Sequence, residues 1–334
     1  MALITDIFDD TEWDKFVLEN PHGNIFQTSY MSKIYEKANK YEPVRLVARD
    51  EDSGNILALI QGSVICEMKG LLSSFSSRSV IHGAPLFVDS VLGRKAVQEL
   101  IVHYNGLIKN KIVYTQIRNM WDTSDYHDIL SGLGYEYEEH LDFLIDLDRN
   151  EEEIWSDIQK SRRKGINRAE RDGITVKNVE SMEELGLCYD LVLETYKRFK
   201  IPIADFSLFE AVFNDLSGTT YADFFIAYKD DEAVGTRITL NYKEMVYDWY
   251  AGSRMGVDYV DEALVWHILK TNAGKYKVFD FGGAGHPDKP YGVREFKRRF
   301  GGEMVNYGRY EKVHSTLRKK IAFIGLSFYN KIKV

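Results

Sequence analysis

The same alternation of strand and helix patterns occurs twice in this chain, in one order, and that repetition limits the folds open to it. In the first half, Pro43-Val-Arg-Leu-Val-Ala-Arg predicts a strand, Asp50-Glu-Asp-Ser-Gly-Asn a polar turn, and Ile56-Leu-Ala-Leu-Ile-Gln a returning strand. In the second half, Asp223-Phe-Phe-Ile-Ala-Tyr, the turn Lys229-Asp-Asp-Glu and Ala233-Val-Gly-Thr-Arg-Ile-Thr-Leu-Asn repeat the plan. Ala96 to Asn110 has helical spacing (Val97, Leu100, Ile101, Tyr104, Ile108) and leads into Ile112-Val-Tyr-Thr-Gln-Ile. Its counterpart runs from Glu262 to Asn272 (Leu264, Val265, Ile268, Leu269) and leads into Tyr276-Lys-Val-Phe-Asp-Phe. Gly134 and Gly302 each open a closing strand. The offset is 165 residues from Val113 to Val278 and 168 from Gly134 to Gly302. Two near-equal offsets predict tandem copies of one mixed α/β unit.

A length of 334 residues suits two domains, and 44% hydrophobic with 28% charged residues is the balance of a globular chain. Cys66 and Cys188 are the two cysteines, too far apart in sequence for a CxxC motif, so neither a disulfide scaffold nor a cysteine zinc site is expected. No apolar run approaches the roughly 20 residues of a membrane span. The acidic start, Met1-Ala-Leu-Ile-Thr-Asp, lacks the basic region of a signal peptide, and the expected location is the cytoplasm. Eight scattered histidines form no HExxH, and no GxxxxGK[ST] or GxSxG occurs. No metal or other cofactor is expected.

The net charge of −8 is segregated. Residues 160–171 carry +5 and residues 294–334 carry +8, which leaves −21 on the rest. An acidic body with two basic stretches repels nucleic acid in general but offers local anion sites. Near the middle, Asp148 or Asn150 caps a helix opened by Glu151-Glu-Glu, whose apolar stripe (Ile154, Trp155, Ile158, Ile166, Ala169) continues to Gly173. The expected domains are 1–148 and 149–312, with a cleft between them because no Pro/Gly/Ser linker separates the halves. Residues 313–334 are expected to form a basic C-terminal helix that packs back on the first domain. An alternative use of that segment is peripheral contact with an anionic bilayer at the inner face of the membrane.

The most informative stretch is Phe279-Asp-Phe-Gly-Gly-Ala followed by Tyr291-Gly-Val-Arg-Glu-Phe-Lys-Arg-Arg-Phe-Gly-Gly. Asp280 ends a strand that runs into Gly282 and Gly283, which permits close backbone approach to a ligand. Lys297, Arg298 and Arg299 follow within one turn, suited to an oxygen on which negative charge sits or develops. With Phe26-Gln-Thr-Ser, the basic helix Glu152-Glu-Ile-Trp-Ser-Asp-Ile-Gln-Lys-Ser-Arg-Arg-Lys-Gly-Ile-Asn-Arg, Glu194-Thr-Tyr-Lys-Arg-Phe and Tyr250-Ala-Gly-Ser, this ordered set spans nearly the whole chain. It resembles the FemABX peptidyltransferase family, which transfers amino acids from aminoacyl-tRNA to the peptide of a peptidoglycan precursor.

That resemblance implies two tandem GNAT-like domains, here without the two-helix coiled-coil arm of some members, since no sustained heptads occur. It implies an aminoacyltransferase whose donor is aminoacyl-tRNA and whose acceptor is an amine on a nucleotide- or lipid-linked peptide. By resemblance Lys297 is the catalytic group, and Lys297→Met is expected to abolish transfer while leaving the fold intact. Arg198 and a lysine near Lys33 or Lys37 would hold precursor phosphates, and Tyr250, Phe296, Asp280 and Gly283 would line the substrate site. Lys160, Arg162, Arg163, Lys164 and Arg168 would meet tRNA phosphates through charge. The rival reading is an acyl-CoA-dependent N-acyltransferase of the same fold. Its pyrophosphate loop would have to be Gly252-Ser-Arg-Met-Gly-Val-Asp, which is poor in glycine and ends on Asp258. A third is a non-catalytic binding module.

Overall fold

The computed structural model describes residues 2–68 and 73–321, which divide into two compact units. The first is built from Met1–Glu139 together with Tyr307–Val334, the second from His140–Asn306.

The first unit's sheet comprises β1 (Ala2–Thr5), β2 (Tyr41–Asp50), β3 (Ile56–Cys66), β4 (Ser77–His82), β5 (Leu86–Phe87), β6 (Tyr114–Arg118), β7 (Glu136–Glu138) and one strand from the end of the chain. The second unit uses β8 (Leu141–Asp146), β9 (Thr175–Asn178), β10 (Ala222–Lys229), β11 (Glu232–Tyr242), β12 (Met245–Ser253), β13 (Val278–Asp280) and β14 (Glu303–Asn306). The last strand, β15 (Arg309–Val313), is the one that enters the first sheet. Spatial order is β1-β2-β3-β4-β6-β15-β7, with β5 on β3, and β14-β8-β13-β12-β11-β10-β9. Each sheet is antiparallel except for one parallel neighbour pair, β4 with β6 and β12 with β13.

The duplication is therefore real: the closing strands opened by Gly134 and Gly302, β7 and β14, stay in their own sheets, but the strand that follows each of them is exchanged. β8 ends the first copy in sequence, yet it sits between β13 and β14. β15 ends the second copy and sits between β6 and β7. The expected boundaries at 148 and 312 put both strands in the wrong unit. Sequence pattern cannot make this distinction, because both copies present the same slot and a strand with period-two alternation fits either.

Each sheet is covered by the helix the spacing predicts. Val91–Ile108, capped by Ser90, buries Ala96, Val97, Leu100, Ile101, Tyr104 and Ile108, and Val260–Asn272 buries Leu264, Val265, Ile268 and Leu269. The predicted continuous helix from Glu151 to Gly173 is instead two, Glu151–Asp157 and Lys160–Arg171. At the break the Gln159 N–H leaves the helical ladder and donates to the Arg299 carbonyl at 3.0 Å. Residues 316–321 are helical, and Arg318 Nη1 donates to the carbonyls of Asn110 at 2.9 Å and Ile112 at 3.1 Å within the first unit. The rest of the basic tail, and with it the expected bilayer contact, lies outside the described residues. Among the described residues no helix is long and apolar enough to cross a membrane. None is longer than the 18 residues of Val91–Ile108, which packs on the sheet and forms no arm.

In β11 the alternation decides where charge goes. Val234, Thr236, Ile238 and Leu240 face one way, and Arg237, Thr239 and Asn241 the other, yet all seven are buried. A β-bulge between Ile238 and Thr239 slips the pairing with β12 past Trp249 and re-aims Asp248 beside Arg237.

Candidate active site

β12 and β13 run parallel for three residue pairs, the last being Tyr247 with Asp280, and then part. The carboxyl ends of diverging parallel strands make a crevice in which α/β sheets bind ligands. Asp248 continues one strand, and Asp280 and the Phe281-Gly282-Gly283 turn end the other.

The short helix Gly292–Arg298 delivers Lys297 to this point. Its placement is set by the phenylalanines of the motif. Phe279 packs on Phe281 at 4.9 Å, Phe281 on Phe300 at 5.8 Å, and Phe296 on Phe300 at 5.2 Å between ring centroids. Lys297 is 8% exposed. Its Nζ donates to the carbonyls of Phe281 at 2.5 Å, Gly282 at 2.8 Å and Gly283 at 3.1 Å, so every ammonium hydrogen has an acceptor. Asp280 supports the same turn by accepting the Gly282 N–H at 2.7 Å. Gly282 has φ +70°, a conformation that favours glycine. A side chain at Gly283 would strike the His140 ring at 2.5 Å.

The neighbouring cations have other work. Arg298 and Arg299 both close on Glu295, and their hydrogen bonds pull its carboxyl down to about 2. Arg294 donates to the carbonyls of Ala284, His286, Pro287 and Lys289 and so folds the loop that follows the glycines. Of the basic cluster in this motif, only Lys297 points into the crevice.

Three carboxyls surround it. Asp248 accepts from Arg237 Nη1 at 2.6 Å, both side chains being under a tenth exposed. Arg237 also reaches Asp261 at 3.4 Å, and Asp261 accepts from Ser253 Oγ at 2.9 Å. Asp142 lies on β8, the strand that pairs with β13 and its Asp280. Burial pushes Asp142 well above the usual carboxylate range, with the nearby Asp280 adding to it. Burial likewise raises Asp248 despite Arg237, and raises Asp280 to about 6. Burial lowers Lys297, while the carboxylates of Asp142, Asp248 and Asp280 oppose that and favour its charge.

A stability prediction follows from Asp280. Its carboxyl holds a proton in the folded chain where the unfolded chain, near 3.8, has lost it. The contribution is complete below about pH 4 and disappears as pH rises through about 6. The melting temperature of the wild type should therefore gain on that of Asp280→Asn when pH drops from about 7 to 5. A difference that stays constant across that interval would contradict the raised carboxyl.

The structure brings Lys297, Phe296, Asp280 and Gly283 together. Tyr250 instead packs on Phe209 at 4.6 Å and Tyr196 at 5.7 Å, beneath the helix Met182–Arg198. Arg198, at the end of that helix, is exposed, stacks on Phe199 at 5.2 Å and has no carboxylate partner among the described residues. Lys33 belongs to the first unit, where it pairs with Asp10 at 2.9 Å beside Arg45. Arg162 departs from its expected role. It pairs with Glu262, lies 4.2 Å from the Phe296 ring centroid and is largely covered, so it anchors the basic helix and does not face solvent. Gly165 permits that anchoring, since a Cβ there would lie 3.0 Å from Tyr259 and 3.3 Å from Glu262. Arg168 pairs with Asp172 at 2.8 Å.

Sequence reading missed Asp142, Asp248, Arg237 and Asp261. A usable signal was present for Arg237, a cation inside the near-continuous apolar run Ala233 to Leu240. The Gly134–Gly302 offset of 168 also carries Lys297 onto Ile129, which packs on the first unit's core. The duplicated scaffold thus bears this buried lysine once.

Residues 156–298 match the acetyltransferase (GNAT) domain family. The chain is 24% identical over 297 residues to the UDP-N-acetylmuramoylpentapeptide-lysine N(6)-alanyltransferase of Weissella viridescens, covering 81% of this chain and 83% of that protein. Its fold matches the crystal structure of FemX with a TM-score of 0.71 at 15% identity, over 96% of this chain and all of the other. It also matches a tandem GNAT protein from the clavulanic acid biosynthesis pathway with a TM-score of 0.61 at 9% identity, over 94% and 99%. A doubled GNAT architecture, a glycine-paved strand end and a buried lysine gripping it agree with those matches along almost the full length, and they support the chain's likeness to the FemABX family.

Proposed function

We propose that this chain is an aminoacyltransferase that moves an amino acid from the 3′ ester of aminoacyl-tRNA to an amine of a peptidoglycan-precursor peptide. The observation that carries this reading is the buried Lys297 ammonium at the mouth of the β12–β13 crevice. Attack of the acceptor amine on the ester carbonyl creates a tetrahedral oxyanion, and a preorganised cation in a water-poor site stabilises it by about 3–4 kcal/mol. The oxyanion takes the hydrogen now held by the Gly283 carbonyl, the longest of the three bonds at 3.1 Å. Arg198, exposed and unpaired with any described carboxylate, suits a phosphate of the acceptor because its planar fork binds two oxygens at once. Lys160, Arg163 and Lys164 supply the charge for tRNA phosphates, whereas Arg162 serves the fold.

The acyl-CoA reading is disfavoured by electrostatics. The helix that would receive a pyrophosphate, Val260–Asn272, has Asp261 and Glu262 in its first turn and Asp258 just ahead of it. Carboxylates occupy the place where an anion would seek the positive end of the helix.

The test offers the protein alanyl-tRNA with a lysine-containing UDP-linked muramoyl pentapeptide and, separately, acetyl-CoA with the same acceptor. Ester loss coupled to an aminoacylated peptide is expected. Release of free thiol in the second arm, with no ester loss in the first, would replace this reading with the acyl-CoA one.

A further inference from the structure

The basic helix Lys160–Arg171 carries two kinds of cation. Lys160 and Lys164 are exposed, whereas the side chain of Arg162 is 17% exposed and lies against the helix that bears Lys297. Its Nη1 is taken by Glu262, in the first turn of Val260–Asn272, and its Nε is buried without an acceptor among the described residues. Neither pair of guanidinium nitrogens that could grip a phosphate is therefore open.

What the guanidinium does touch is aromatic. Its Cζ lies 4.2 Å from the ring centroid of Phe296 and 5.7 Å from that of Phe300. Phe296 immediately precedes Lys297, and these two rings pack on each other at 5.2 Å and on Phe281 at 6.5 and 5.8 Å. Phe281 in turn gives its carbonyl to the Lys297 ammonium. A cation over a ring face is drawn to its negative centre, more strongly where water is excluded. The backbone makes a second joint at the same place, the Gln159 N–H donating to the Arg299 carbonyl at 3.0 Å. Beside it, a Cβ on Gly301 would lie 3.2 Å from the Asp157 carbonyl oxygen, so the two segments are closely fitted.

We propose that Arg162 is a positioning residue for Lys297: gripped by Glu262, it seats Phe296 and so sets the turn of helix that aims the ammonium at the Phe281, Gly282 and Gly283 carbonyls. The basic helix then has outer cations for donor phosphates and one inward cation that serves the chemical step. This rests on the aminoacyl-transfer reading above, and it sets Arg162 apart from its neighbours. Loss of Lys164 weakens donor binding, whereas loss of Arg162 slows transfer from a donor already bound.

Steady-state transfer from charged tRNA and lysine ¹³Cε NMR, with Lys297 assigned through Lys297→Met, test it. Arg162→Met should lower kcat about tenfold to a hundredfold with KM for charged tRNA within about threefold, because misplacing a reacting group by about 1 Å costs up to about a hundredfold. Glu262→Gln should also lower kcat, and the double variant should lose less than the two falls multiplied, as for groups acting in one chain. Lys164→Met should raise KM instead. The Lys297 resonance should move in Arg162→Met and Glu262→Gln and hold its place in Lys164→Met. A raised KM with kcat within about threefold of wild type in Arg162→Met, or an unmoved Lys297 resonance in that variant, would overturn the proposal. Should Arg162→Met fail to fold, Arg162→Lys keeps a charge beside Glu262 without the flat guanidinium, and the same two readouts decide. If the wild type itself transfers nothing from charged tRNA, the functional reading fails, while the NMR comparison still decides whether Arg162 holds Lys297 in place.

Discussion

Lys297→Met is expected to lower single-turnover transfer by about a hundredfold to a thousandfold and to cost the fold about 3 kcal/mol. The two losses have one origin. Methionine fills much of the same volume but donates nothing, so the carbonyls of Phe281, Gly282 and Gly283 lose the ammonium that holds them in one cluster. Asp142, Asp248 and Asp280 lose their nearest compensating charge apart from Arg237. Breaking a buried ion pair from one side costs about 3–5 kcal/mol, and uptake of protons by the stranded carboxyls keeps the figure near the lower end. The expectation from sequence, that this substitution spares the fold, changes for that reason. Denaturant unfolding with single-turnover kinetics checks both parts. A variant as stable as the wild type would show that the three carbonyl contacts contribute little, and unchanged turnover would remove Lys297 from the chemistry.

Gly302→Ala is expected to destabilise the second unit by about 3–4 kcal/mol, through left-handed strain together with a backbone clash. Gly302 has φ +86°, and a Cβ there would sit 2.4 Å from the Leu144 carbonyl oxygen. That oxygen belongs to β8, the strand carrying Asp142, and it cannot turn aside as a side chain can. The chain must either shift β8 within the sheet or unpair it from β14, and transfer falls along with stability. Gly173→Ala is the control: φ is +78° but nothing lies within 4 Å, so only the strain of about 1 kcal/mol should appear. Hydrogen exchange at β8 and β14 reads the effect locally. Equal losses at the two glycines would mean that β8 accommodates the methyl group freely.

The candidate site was legible in outline from local pattern. The Phe-Asp-Phe-Gly-Gly run pointed to a strand end with room for a close approach, and Lys297 stood beside it in sequence within a basic turn. Which of three consecutive cations faces inward was not legible, because it depends on Phe296 and Phe300 seating against Phe281 and on Glu295 capturing Arg298 and Arg299. The carboxyls that tune Lys297 come from β8, β12 and β13, brought together from 106 and 32 residues apart in sequence. Arg162 shows the same limit on a helix. Its charge looked solvent-facing by helical position, but Glu262 from another helix and the Phe296 ring claim it.

What the sequence by itself determined is the repeated unit, since hydrophobic period and turn chemistry are local properties that each copy carries intact. Only the tertiary structure decided that the copies exchange their last strands. Both sheets offer an equivalent gap beside the same parallel pair, and backbone hydrogen bonds in a ladder do not depend on which copy supplies the strand. The exchange matters to chemistry because β8 brings Asp142, from the end of the first copy, to the Asp280 and Lys297 of the second.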